Sequence, residues 1–178
     1  MRVIAGRWRG RPLVAPKGDV TRPTADRTRE ALFSMLASRL VSFEGLAVAD
    51  LFAGSGALGI EALSRGAASC LFVEHDRAAL YALRANLGRL GATGDVRAQS
   101  VLALGAAAAP LDLILIDPPY GTSAGAVALD RLARLGWTGP ATWISIETAR
   151  GEKVEVAGFT ADAEKTYGKA QVTLLRIA

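Results

Sequence analysis

An α/β fold, a parallel sheet flanked by helices, follows from three observations on this sequence. Apolar strand-like runs alternate with helix-like runs from residue 46 onward, a glycine-rich turn breaks the first of those runs, and an acidic, proline-locked turn ends the fourth. Such alternation implies right-handed crossovers and a ligand at the carboxyl ends of the strands.

Bulk properties set the bounds. The chain has 178 residues, 51% of them hydrophobic and 21% charged, ordinary for a globular protein and enough for one domain with a sizeable core. We expect a single domain over 1–178, with a basic N-terminal arm (1–22) and an α/β core (23–178). No apolar run approaches the roughly 20 residues of a membrane span, and MRVIAGRWRG has no apolar signal region. A cytoplasmic location without membrane contact is therefore expected. Cys70 is the single cysteine and His75 the single histidine, so neither a disulfide framework nor a metal is expected.

The arm carries the charge asymmetry. Residues 1–30 hold eight basic side chains against three acids, while the whole chain is only +4. Arg7, Trp8, Arg9 and Arg11 lie among Gly6, Gly10, Pro12 and Pro16, which would keep the segment extended. Such an arm can contact phosphates along a polynucleotide and stack Trp8 on a base; the alternative is a solvated basic tail. Next, Arg22-Pro23-Thr24 gives a break and a capping threonine, and Leu32, Met35, Leu36 and Leu40 recur at helical spacing to about residue 41. Asp26, Arg27, Arg29 and Glu30 crowd its first turns. They either form surface pairs or present Arg27 and Arg29 to a substrate.

The central stretch is LAVADLFAGSGALG at 46–59. Small apolar residues 46–49 form a strand buried on both faces and ending at Asp50. Gly54, Gly56 and Gly59 then have G-x-G-x-x-G spacing, which permits a tight turn, close approach of a ligand and close packing of the following helix. That spacing also fits a dinucleotide, with Glu74 about 20 residues on for the ribose. Asp50 favours S-adenosylmethionine, because a carboxylate suits an ammonium group and repels a pyrophosphate.

Later elements follow in order. A helix from about residue 57 ends at Gly66; 69–73 is a second strand delivering Glu74; Leu80, Leu83, Leu87 and Leu90 mark a helix stopping at Gly91. Residues 96–100 form a third strand ending near Gln99, a short alanine-rich helix precedes a fourth strand at 111–116, and 142–147 is a fifth. A hairpin joins 161–167 to 171–177 through Gly168 and Lys169. Residues 148–160 remain unassigned.

The fourth strand ends in Asp117-Pro118-Pro119-Tyr120-Gly121. Consecutive prolines fix the chain direction, so the Asp117 carboxylate and nearby carbonyls form a rigid cluster of acceptors. An exocyclic amino group is a poor nucleophile because its lone pair is delocalised into the ring. Acceptors bonding its hydrogens favour a pyramidal nitrogen, and Tyr120 offers a stacking face for an extruded base.

DLFAGSG followed by DPPY resembles the class I S-adenosylmethionine-dependent methyltransferases that modify amino groups of bases. Together with RVIAGRWRGRPL and RPTADRTREALFSML, in this order, the motifs resemble the bacterial 16S ribosomal RNA guanine-N2 methyltransferases of the RsmD type, over roughly the first two thirds of the chain. The resemblance implies a Rossmann-like sheet of seven strands, mostly parallel with an antiparallel last strand and helices on both faces. It also implies S-adenosylmethionine as donor, S-adenosylhomocysteine as product, and a guanine of 16S rRNA as acceptor, naked or within a small-subunit assembly intermediate. A monomer is expected. By position, Asp50, Gly54 and Gly56 line the methionine end, Glu74 holds the ribose and Gln99 lies near the adenine, with Phe52, His75 and Ser100 as further cofactor-binding residues. Asp117, Pro118, Pro119 and Tyr120 hold the target base, and Arg7, Trp8, Arg9, Arg11, Arg22, Arg27 and Arg29 the RNA. Gln99-Ser100 departs from the Asp or Asn common there, though an amide still bonds an adenine edge.

Three rivals stand beside this reading. An adenine-N6 or cytosine-N4 DNA methyltransferase shares DPPY but needs a target-recognition domain. An NAD-dependent oxidoreductase shares the glycine turn but would lack Asp50 and need a hydride-transfer site. A non-catalytic RNA-binding assembly factor would keep the arm and have no use for Asp117.

Overall fold

The computed structural model describes residues 1–17 and 23–178; Arg22, and the side chain of Thr24 expected to cap the first helix, lie outside that description. The elements are α1 (Pro23–Ala37), β1 (Ala47–Leu51), α2 (Ala57–Ser64), β2 (Ser69–Glu74), α3 (Arg77–Leu90), β3 (Asp95–Ala98), a 3₁₀ turn (Val101–Ala103), β4 (Leu113–Ile116), α4 (Ala124–Arg134), β5 (Trp143–Ala149), β6 (Phe159–Tyr167) and β7 (Ala170–Ile177). The strands form one sheet in the order β3-β2-β1-β4-β5-β7-β6. Strands β1 to β5 pair in parallel, whereas β7 runs antiparallel to both β5 and β6.

Central strands are apolar on both faces because both faces are covered. All four residues of β4, Leu-Ile-Leu-Ile, are buried, as a parallel strand between helical layers requires. On one face α1, α2 and α3 pack Leu32, Phe33, Leu36, Ile60 and Leu83 against Val48, Phe72 and Leu115. On the other, α4 packs Leu129 and Leu132 against Leu51, Ile114 and Ile144.

Several expectations need correction. The alanine-rich segment before β4 is not a helix: only the 3₁₀ turn forms there. Its four alanines lie between Gly105 and Pro110, too short a run to nucleate a helix, and a proline disfavours helical geometry just before it. Helix α4 was not expected at all, although Ala128, Leu129 and Leu132 recur at helical spacing and are fully buried. The first helix ends at Ala37, short of 41, and β3 stops at Ala98, leaving Gln99 and Ser100 in the loop beyond it.

The arm departs most. Instead of an extended segment, residues 1–13 fold back on themselves: Arg2 bridges Pro12, the Val3 amide donates to the Arg11 carbonyl at 2.9 Å, and the Leu13 amide donates to the Met1 carbonyl at 2.8 Å. Val3, Trp8 and Leu13 are buried in the same core cluster as Leu32 and Leu63, each worth about 2 kcal/mol of burial. The fully buried Glu61 carboxylate on α2 accepts from the Ile4 and Ala5 amides at 2.9 and 3.0 Å. A Cβ on Gly6 would sit 1.9 Å from the Ser64 carbonyl oxygen, so only glycine passes there. The arm is a hairpin belonging to the core.

Candidate active site

Strand register brings four acids onto one face. Asp50 on β1 pairs with Phe72 on β2 and Leu115 on β4, and Leu115 pairs with Ser145 on β5. Side chains alternate along a strand, so two residues further on Glu74, Asp117 and Glu147 point to the same side as Asp50. Read across the sheet, the order is Glu74, Asp50, Asp117, Glu147. All sit at carboxyl ends, on the face covered by α1, α2 and the arm.

The left half of this row belongs to the glycine turn. Phe52 and Gly54 both adopt left-handed backbone at φ 57°; for Phe52 this is strain of about 1–3 kcal/mol, characteristic of ligand-binding turns. The Gly54 amide donates to Glu74 Oε1 at 2.9 Å, and Glu74 Oε2 accepts from the His75 and Asp76 amides. Glu74 thus ties the turn to the tip of β2. Asp50 is 1% exposed, and its Oδ2 accepts from the Gly59 amide at 2.9 Å. Burial outweighs that bond and, with Glu74 nearby, pushes the carboxyl up to about 8. An acid held that far up keeps its proton at neutral pH, and a cation beside it would favour the charged form. The helix approaches closely because a Cβ on Gly59 would meet the Phe72 ring at 2.4 Å. Beyond β3, the Gln99 backbone N–H donates to the Glu74 carbonyl at 3.0 Å, and Ser100 Oγ accepts from the Leu102 amide.

The right half holds Asp117 and Tyr120. Ile116 pairs with Ile146, so Asp117 and Glu147 follow on neighbouring strands about 4.8 Å apart. The Tyr120 hydroxyl donates to Glu147 Oε1 at 2.7 Å while the residue stays 47% exposed. Asp117 opens onto the cleft, yet protein crowds it; loss of water, then the Glu147 and Asp50 charges, hold its carboxyl well above the usual carboxylate range. Burial raises Glu147 too, opposed by the Tyr120 bond. The Tyr120 hydroxyl is pushed up by burial and by Glu147. The Pro119 carbonyl accepts from the Thr122 hydroxyl at 2.7 Å, so it is already engaged as an acceptor.

Between the halves lies a cavity of about 580 Å³ lined by Asp50, Phe52, Gly54, Asp117, Tyr120 and Glu147, with Arg29 and Lys169 beside them. Ala15 and Pro16 of the arm complete its wall. Glu74, His75, Gln99 and Ser100 stand at neighbouring strand tips outside this lining, and Pro118 and Pro119 lie behind it around a smaller pocket. Gly56, at φ 82°, packs against Leu83 below the turn. Among the described residues no cluster of side chains fits a metal ion, and no helix is long and apolar enough to cross a membrane.

The basic residues divide. Arg7, Arg9, Arg11 and Arg27 are exposed; the Arg7 guanidinium lies over the Trp8 ring at 4.3 Å, and Arg11 donates to the Arg89 carbonyl of α3 at 2.9 Å. Trp8 is 9% exposed, so its ring is packed against the core and not open for base stacking. Arg29 is 4% exposed, pairs with Asp26 at 3.1 Å and with Glu61 at 3.8 Å, and donates to the Arg2 carbonyl. It joins α1, α2 and the arm, which corrects its reading as a presented RNA contact. Sequence reasoning also missed Glu147, whose signal was its place after the apolar run at 143–146, two residues past Ser145 on the strand beside DPPY.

Residues 1–176 match the model of a family described as conserved hypothetical protein 95. The ribosomal RNA small subunit methyltransferase D of Escherichia coli is 36% identical over 178 residues, covering 98% of this chain and 88% of that one. The solved structure of Escherichia coli yhhF aligns with TM-score 0.85 and 35% identity over 99% of this chain and 97% of that one. The magnesium protoporphyrin IX methyltransferase of Synechocystis, at 15% identity, TM-score 0.68 and coverage of 90% and 87%, shares the fold alone.

Proposed function

Since the chain belongs to the conserved hypothetical protein 95 family, with a ribosomal RNA small subunit methyltransferase D as a close relative, we propose that it methylates the exocyclic N2 of one guanine in 16S rRNA. The fold is that of the class I methyltransferases, and membership makes the chain a methyltransferase of ribosomal RNA. The choice of guanine N2, of S-adenosylmethionine as donor, of naked rRNA or an assembly intermediate, and of a monomeric enzyme completes the proposal.

The observation that carries it is the cavity, where the glycine turn and the DPPY turn face each other across Asp50 and Asp117. The residues fit the donor. Asp50 is a buried carboxyl that a bound ammonium group would ionise, Gly54 has open space where a Cβ would stand, and Glu74, at the next strand tip, keeps lone pairs beyond its backbone bonds for ribose hydroxyls. When bound, the sulfonium supplies an electrophilic methyl group.

The chain's own residues do the rest by placement. Asp117 accepts from the amino group, so that the nitrogen lone pair is directed away from the ring and toward the cofactor half of the cavity. The ring of Tyr120 stacks on the base, and Ala15 and Pro16 narrow access for water. On gaining the methyl group the amino nitrogen would become acidic enough to release its proton to solvent at the cleft mouth. Orientation is therefore the role given to Asp117, and positioning with electrostatics supplies most of the acceleration. Arg7, Arg9, Arg11 and Arg27, exposed on the hairpin and α1, contact RNA phosphates.

The test is incubation with methyl-labelled S-adenosylmethionine and, in parallel, naked 16S rRNA, unmethylated small subunits and unmodified DNA. Label recovered as N2-methylguanine in rRNA supports the reading, and the two RNA arms tell free RNA from assembled particle. Label on DNA alone, or bound RNA without label, overturns it in favour of a DNA enzyme or a non-catalytic factor.

A further inference from the structure

We infer that Glu147 reads the N1–H of the target guanine, making it the residue that distinguishes guanine from bases with an unprotonated ring nitrogen at that position. The inference rests on the guanine-N2 reading above and gives that site its base selectivity.

Geometry singles out Glu147. It follows Ile146, the partner of Ile116, so it stands beside Asp117 on the next strand and points to the same face. Both line one cavity with Tyr120. One Glu147 oxygen is fixed by the Tyr120 hydroxyl at 2.7 Å, which leaves the other oriented for a second donor. Tyr120 is the stacking ring, so the bond sets the ring and the free oxygen in a common frame. The nearby Gly121 and Ala149 amides donate to Glu152 instead.

The chemistry of the base then matches two adjacent acids. Guanine carries three N–H bonds along one edge, two on N2 and one on the neighbouring N1. A single acceptor, Asp117, serves the amino group; a second, one strand over, meets N1–H. Adenine presents an amino group beside a bare N1 lone pair, which would face the Glu147 oxygen with no proton between them. Two acceptors repel there, and an unmatched buried polar group costs more than a missing contact. The same feature accounts for placing two acids side by side although each disfavours the other's charge: donors on the base bridge both.

The experiment begins with full-length enzyme and its mapped target guanine. Ligation of RNA segments places 2,6-diaminopurine at that position; this base keeps the N2 amino group and removes the N1 proton. Wild-type enzyme should prefer guanine by kcat/KM on the order of a hundredfold. Glu147→Gln, whose amide can turn its NH₂ toward a bare N1, should lower turnover of guanine and bring the two bases within about threefold, with unchanged thermal midpoint and S-adenosylmethionine affinity. A merely structural Glu147 would lower both bases alike. Equal use of the two bases by wild type, or an undiminished preference in Glu147→Gln, overturns the role. Wild-type enzyme that labels no guanine overturns the functional reading itself, a result visible before any variant is made.

Discussion

The buried Asn86 side chain on α3 donates to the Ser55 carbonyl of the glycine turn at 2.9 Å. The same amide nitrogen donates to the Val14 carbonyl at 2.9 Å, and its oxygen accepts from the Val14 amide at 2.7 Å. One side chain thus joins the cofactor turn to the arm segment that walls the cavity. Removing three bonds from a group 1% exposed strands several polar atoms, each costing about 1–3 kcal/mol. Asn86→Ala should destabilise the protein by about 3 kcal/mol and weaken cofactor binding together with RNA binding. Denaturant unfolding and calorimetry test this; unchanged cofactor affinity would show that Ser55 holds its place without Asn86.

For the arm, truncation is the wrong test. Val3, Trp8 and Leu13 lie in the core and Glu61 binds the backbone of Ile4 and Ala5, so deleting residues 1–18 should lower the thermal midpoint as well as RNA affinity. Arg9→Ala with Arg11→Ala removes two exposed charges and leaves those contacts in place. RNA affinity should fall and the slope of log K against log salt should flatten by about 2, with the midpoint within a few degrees of wild type. An unaltered slope would remove this hairpin from the RNA interface.

How far the sequence reached is explained by which signals are local. Gly54, Gly56 and Gly59, and the prolines after Asp117, constrain the backbone where they stand, and the turns they form were legible with their positions. The alternation of apolar runs gave the strands for the same reason. Trp8 failed because a tryptophan among arginines has no local mark of burial: its partners, Ser64 and Leu63, are more than fifty residues away. Arg29 failed alike, being neutralised by Glu61 across two helices. Glu147 became meaningful only through its neighbour Asp117, a relation fixed by the β4–β5 register. Helix α4 carries a local signal in Ala128, Leu129 and Leu132, but Val127, exposed on its outer face, blurs the apolar stripe.

Asp117 should separate turnover from cofactor binding. It faces the base half of the cavity, and the cofactor half is built from Asp50, Phe52 and Gly54. Asp117→Ala should lower kcat by at least about a hundredfold while leaving S-adenosylmethionine affinity within about threefold. Removing one of two adjacent acids also relieves repulsion, so the variant should be no less stable than wild type in thermal unfolding. Equal losses of affinity and turnover would place Asp117 in the cofactor site instead.

Asp50 gives the protein a pH dependence whose sign is fixed. Its carboxyl titrates at about 8 when folded against 3.8 in the open chain, so between those values the folded state holds the extra proton. Stability from this group is complete below pH 4 and is lost as pH rises through 8. A cation bound beside Asp50 reverses the preference, because it favours the carboxylate and expels the proton. Cofactor binding should therefore release protons and gain affinity, relative to Asp50→Asn, as pH goes from 6 to 8. The asparagine keeps the bond from Gly59 and cannot titrate, and the cofactor's own amino group, which titrates near 8, affects both proteins alike. Calorimetry in buffers of different ionisation enthalpy counts the protons directly. Identical pH profiles for the two proteins would mean that Asp50 keeps the same protonation state in the free and the bound enzyme and is not the group that meets the cation.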